Sequence, residues 1–173
     1  RSTLSSSSAA SDVYKRQNER YDIVIIDLPD PIEEGPAYRL FTKEFYQTVY
    51  AHLTDQGVIT VQAGSGSLTE LLNLTAVIKT LETAFPVVTS YLTNMLCYGG
   101  AWGFAFASKG PDPLKLEPAE VDRRLAEQGA TGLRHYDGTT HRGMFCPPLY
   151  VRTAIKKQTR IITDDSPLYL YGT

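Results

Sequence analysis

Two carboxylates, Asp27 and Asp30, stand three residues apart with Pro29 and Pro31 interleaved. Proline fixes φ and has no backbone N–H, so a central strand cannot run through these positions. Asp27 therefore falls at the end of the preceding element and Asp30 in the turn beyond it. That preceding element is a short apolar run, Ile23 to Ile26, bounded by acids, which reads as a strand buried on both faces of a parallel sheet. In open α/β sheets ligands bind in the crevice outside the carboxyl ends of the strands. Two acids on a proline-stiffened loop there suit a cationic ligand. The same spacing also suits a plain turn in which both aspartates cap backbone N–H groups.

The elements that must position this loop follow in order. Thr42 is a candidate N-cap for a helix carrying Phe45, Val49 and Leu53 at helical spacing, closed by Gly57 with a positive φ. Residues 58–63 read as a second buried strand, which makes a strand–helix–strand unit and places Gly64-Ser65-Gly66-Ser67 on the ligand side as a flexible connection. Residues 68–85 carry Leu71, Leu72, Ala76, Ile78, Leu81 and Phe85, an amphipathic helix stopped by Pro86. Residues 87–92 and 102–107 then form an antiparallel hairpin at the sheet edge, with Tyr98 in the loop between them, either packing on the surface or walling a site. A helix begins near Pro118 with Val121 and Leu125 inward and Gly129 at its C-cap; its charges form a solvated face. Residues 148–157 make a last helix, and residues 161–171 return as an edge strand or lie along the surface.

Composition narrows the function classes. A chain of 173 residues, 42% hydrophobic, suffices for one domain with a sizeable core. A net charge of -2 and pI near 5.9 argue against nucleic-acid and membrane-surface partners. Cys97 and Cys146 form no CxxC pair, and His135 and His141 lack zinc-ligand spacing, so no metal site is expected and a reducing cytoplasm is the expected location. His141 reads as hydrogen-bonded structure. No glycine-rich strand–turn–helix precedes Tyr21, so the fold class expected is α/β, the C-terminal half of a Rossmann-like doubly wound sheet without its N-terminal strands. Residues 1–17 are Ser/Ala-rich without period, which reads as a disordered tail. Within them, Asp12-Val13-Tyr14-Lys15-Arg16-Gln17 resembles one reading frame of the adapter used in transposon-based sequencing libraries. The catalytic-domain part is then expected to be residues 18–173.

Four stretches in order carry a family resemblance: YDIVIIDLPDPIEEGPAYRLFTKEFY (21–46), VQAG (61–64), WGFAFAS (102–108) and HYDGTTHRGMF (135–145). Together they resemble the polyamine synthases, the spermidine, spermine and thermospermine synthases. Glu33-Glu34-Gly35-Pro36, Tyr38-Arg39-Leu40 and Tyr171-Gly172 look most like the plant-type thermospermine synthases. The resemblance implies transfer of an aminopropyl group from decarboxylated S-adenosylmethionine, a co-substrate, to putrescine or spermidine, with no prosthetic group. It implies Asp27 as catalytic base and Asp30 as the second amine-binding acid, Gln62 and Tyr98 along the amine channel, and Pro36 and Ala37 against the thioadenosine. It also implies a homo-oligomeric full-length protein. The family's glycine-rich loop and its ribose- and adenine-reading acids fall upstream of Asn18, so this chain alone is expected to be inactive. A methyltransferase of the same fold, or a non-catalytic binding homologue, are the alternatives.

Overall fold

The computed structural model describes residues 19–33 and 35–170. The tail assigned to residues 1–17, Glu34 and the Tyr171-Gly172 ending lie outside the described residues. In chain order the elements are β1 (Tyr21–Ile26), a 3-10 turn (Pro36–Phe41), α1 (Lys43–His52), β2 (Leu53–Ser65), α2 (Leu72–Leu81), β3 (Val87–Met95) and β4 (Gly100–Ser108). Three helices complete the chain: α3 (Pro118–Glu127), α4 (Gly138–Met144) and α5 (Leu149–Lys157).

The strands form one sheet in the order β1-β2-β4-β3. β1 and β2 are parallel, with Ile23 opposite Val58 and Ile26 opposite Val61. β3 and β4 form the expected antiparallel hairpin, but its return strand inserts beside β2 and leaves β3 at the edge. Side-chain size accounts for this arrangement. Gly103, Ala105 and Ala107 all point to one face of β4, where α2 lies close enough that a Cβ on Gly103 would come 2.7 Å from Leu74 Cδ2. Only small residues admit a helix that near the sheet.

The core fills that face. Ile26, Ile59, Val61, Ala63, Ala105 and Ala107 from the sheet meet Leu74, Val77, Ile78 and Leu81 from α2 and Tyr46 and Val49 from α1. Thr42 caps α1 as expected, its hydroxyl accepting from Phe45 N at 3.3 Å. α2 is shorter than residues 68–85 and is buried nearly all round rather than on one stripe, while Leu68 and Leu72 face solvent. The cause is the C-terminal segment, which is neither an edge strand nor a surface strip. It crosses behind α1 and α2, burying Ile162 and Leu168 and pinning itself by Lys43 N→Ile162 O (2.8 Å), Ile162 N→Thr80 Oγ1 (2.9 Å) and Leu170 N→Pro31 O (2.7 Å).

Two further expectations are corrected. Leu53 does not belong to the first helix: it opens β2, and Gly57 lies within that strand without a positive φ. β1 is not buried on both faces, since Ile23 is 63% and Ile25 71% exposed. An apolar run reports the tendency to be covered; here α1 and α2 cover only the face of Val24 and Ile26.

The opposite face is covered toward β3 by α3 and α4. Phe145, at the end of α4, packs on Tyr91 and Phe106. α3 and α4 touch through Gly138, whose backbone N–H donates to Asp122 Oδ1 at 2.7 Å. A Cβ on Gly138 would overlap the Pro118 carbonyl. Gly138→Ala is therefore expected to cost about 3 kcal/mol by prising the two helices apart, read as a lowered urea midpoint. An unchanged midpoint would show that this contact relaxes freely. Arg123, Arg124 and Glu127 form a solvated face with Glu120, as expected, and contribute little to stability, whereas Asp122, expected on the same face, instead accepts from Gly138 N.

Candidate active site

The carboxyl ends of β1 and β2, the end of β3 and the start of β4 meet around a narrow cavity of about 190 Å³. Asp27, exposed at the first position after β1, stands on its rim. Ile25, Ile26, Thr60 and Gln62 form one wall; Tyr91, Met95, Tyr98, Trp102 and Phe104 form the other. Period-2 geometry explains the second wall: the large residues of β4, Trp102 and Phe104, share the face opposite its glycine and alanines. The Tyr91 and Phe104 rings stack at 5.0 Å with an 8° interplanar angle, and Tyr98 lies 4.4 Å from Trp102 at 31°. Burial raises the Tyr91 hydroxyl above its ordinary range, and its 2.9 Å hydrogen bond with Thr60 Oγ1 offsets part of that.

A β-bulge shapes the floor. Between Gln62, paired with Phe104, and Ser65, paired with Trp102, β2 carries one residue more than its partner. Gly64 absorbs it at φ +85°, a left-handed conformation that favours glycine. Hydrogen bonds to two other elements hold the Gly64–Ser67 connection. Gly66 N donates to Ala101 O at 2.9 Å, and Tyr150 from α5 donates its hydroxyl to Gly66 O at 2.8 Å. The loop beside the cavity is thereby tied to β4 and to α5.

Of the residues singled out in the sequence, Asp27, Gln62 and Tyr98 come together at the cavity. Asp30 lies half-buried beside Gly64, behind the rim. Burial pushes its carboxyl above the ordinary aspartate range, the Gln62 side chain draws it back down, and the negative charge of Glu70 raises it further. Ala37 is 7% exposed and packs into the core beneath the 3-10 turn, away from the cavity. Pro36 opens that turn; its side chain lies outside the described residues. The cavity gains Tyr91 and Trp102, which sequence reading missed as site residues. The alternation in residues 102–107 was the available signal, but it does not say which face is open.

His141 is structural, 4% exposed, its ring nitrogens 2.7 Å from Tyr136 Oη and 2.9 Å from Pro113 O. Only an N–H can face a carbonyl, so Nε2 donates to Pro113 O, and the tyrosine hydroxyl is hydrogen-bonded to Nδ1. His135 is exposed, 3.3 Å from Thr93 Oγ1. Among the described residues no group of three His, Cys, Asp or Glu side chains is placed to hold a metal, and no helix is long and apolar enough to cross a membrane.

Residues 4–115 match the family model described as the spermine/spermidine synthase domain. The chain belongs to the spermine/spermidine synthase family. Among curated relatives it is 42% identical over 154 residues to polyamine aminopropyltransferase 2 of Hyperthermus butylicus, covering 88% of this chain and 50% of that protein. It is 38% identical over 163 residues to a polyamine aminopropyltransferase of Synechococcus sp. strain JA-2-3B'a(2-13), covering 91% and 52% respectively. Among solved structures, spermidine synthase from Thermotoga maritima superposes with a TM-score of 0.69 at 27% identity, covering 86% of this chain and 48% of that one. Human methyltransferase-like protein 13 shares the fold, with a TM-score of 0.51 at 18% identity over 79% of this chain and 61% of that one. The chain thus spans about half the length of the curated relatives it matches.

Proposed function

We propose that this member of the spermine/spermidine synthase family carries the acceptor side of a polyamine aminopropyltransferase. The observation that carries the reading is an acidic rim, Asp27, on a narrow cavity walled by aromatic rings. A polyamine is a methylene chain bearing ammonium groups. Its chain suits the stacked Tyr91–Phe104 wall, while its cations suit the carboxylates and the ring faces of Tyr98 and Trp102.

At neutral pH an aliphatic ammonium, pKa about 10, has no lone pair to attack with. In this reading Asp27 takes its proton and Asp30 holds the amine's positive charge. The freed nitrogen then attacks the aminopropyl carbon beside the sulfonium of decarboxylated S-adenosylmethionine. The new C–N bond forms as the C–S bond breaks, its electron pair going to sulfur, and methylthioadenosine leaves. Gln62 and Tyr98 line the amine's path, and Pro36, at the start of the 3-10 turn, meets the thioadenosine, whereas Ala37, packed into the core, does not. Putrescine and spermidine are the candidate acceptors; no prosthetic group is required.

The test is an assay with decarboxylated S-adenosylmethionine and each amine. The chain spans about half the length of the relatives it matches, and the 173-residue chain alone is expected to show no turnover. The same chain completed with the upstream half of the Hyperthermus butylicus relative is expected to release methylthioadenosine. Methyl transfer from S-adenosylmethionine, with no aminopropyl product from either protein, would sink the reading.

A further inference from the structure

Several buried polar atoms without a partner are gathered at one place: Asp30 Oδ1, Gln62 Oε1, and both Nδ2 and Oδ1 of Asn73. Asn73 is the second residue of α2 and is only 2% exposed. Gly64 lies between it and the acid. A Cβ on Gly64 would stand 3.1 Å from Asn73 Nδ2 and 3.5 Å from Asp30 Oδ1. An amide donor and a carboxylate acceptor thus press against the same bare α-carbon, each lacking what the other offers. Leaving either unsatisfied in the interior is costly.

We infer that Asn73 is a positioning residue for Asp30: its carboxamide Nδ2 donates to Asp30 Oδ1 across Gly64 and fixes the orientation of the carboxylate behind the cavity rim. Three features fit that role. Gly64 alone permits the approach, because any side chain there would meet the Asn73 amide. A neutral amide supplies a donor without cancelling the negative charge that an amine requires, as a lysine would. The position near the N-terminus of α2 favours an ionised carboxylate in the same sense. Glu70, in the loop before α2, is the like charge on the other side of the balance, and the Gln62 side chain acts in the same sense as Asn73. What the orientation serves, holding the acceptor amine, rests on the function proposed above; the contact itself does not.

The experiment is an NMR pH titration of the Asp30 side-chain carboxyl in the 173-residue chain, wild type against Asn73→Leu and Asn73→Ala. Loss of the donor disfavours the ionised form, so the Asp30 midpoint is expected to rise by about one pH unit in both variants, with Asn73→Ser between them and wild type. Thermal melts identify variants that fold, and the smaller Asn73→Ala carries the test if the leucine is not accommodated. An Asp30 midpoint unchanged in the folded variants overturns the inference. A second arm uses the completed aminopropyltransferase. There Asn73→Ala is expected to raise KM for the amine several-fold with KM for the sulfonium donor unchanged. The titration contains no substrate, so loss of the aminopropyl-transfer reading would silence the second arm and leave the first standing.

Discussion

Asp27→Asn is expected to lower aminopropyl transfer by about 10²- to 10⁴-fold, the range that a positioned general base contributes. The substitution keeps the side chain's shape at the end of β1 and removes both its charge and its basicity. Asp27 is exposed on the rim of the cavity and is not part of the core, so the variant is expected to unfold where the wild type does. The loss should appear in kcat as well as in KM, because a neutral amide neither accepts the amine's proton nor neutralises the ammonium. Raising the pH supplies free amine from solution and is expected to recover part of the rate in the variant. Activity within threefold of wild type across the pH range would remove Asp27 from the reaction.

The second large effect concerns stability. Leu74 is fully buried on α2 and fills the notch that Gly103 leaves in β4, with Cδ2 2.7 Å and Cδ1 2.9 Å from where a Cβ would sit. Leu74→Ala is expected to cost about 2–5 kcal/mol, because the notch is lined by strand residues with little side chain to collapse into it. The measurement is urea unfolding, where the midpoint should fall without a change in slope. Coupling sharpens the test. Gly103→Ala in the wild type crowds Leu74 and should destabilise, whereas in the Leu74→Ala background the same methyl fills part of the void and should stabilise. That reversal of sign is expected only for residues in direct contact; additive effects would show that α2 does not seat on Gly103 as described.

Much of the fold was legible because local rules decided it. Thr42 caps its helix since its hydroxyl meets a free backbone N–H three residues on, and Pro29 and Pro31 end the first strand whatever surrounds them. The hairpin of β3 and β4 followed from two strand-like runs with Gly99 and Gly100 between them, both at positive φ. Of the site, Asp27 was found from its place at the end of a strand, whereas Gln62 and Tyr98 followed from the family resemblance. Ala37 went into the core instead, since its place depends on how the 3-10 turn docks and not on its neighbours in sequence.

The sequence by itself determined the end of the sheet at which the acids lie, through four ordered motifs the family, and most of the elements, though not α4. Only the tertiary structure decided which strand β4 joins, which face of β1 is covered, and that Tyr91 and Trp102 share a cavity with Asp27. It also brought Asn73 to Gly64, in β2, and to Asp30, which lies before the 3-10 turn, α1 and β2 in the chain. The physical reason is common to all of these. Period and capping act within a few residues, whereas burial of a sheet face and the pairing of buried polar atoms depend on elements that meet only when the chain is folded.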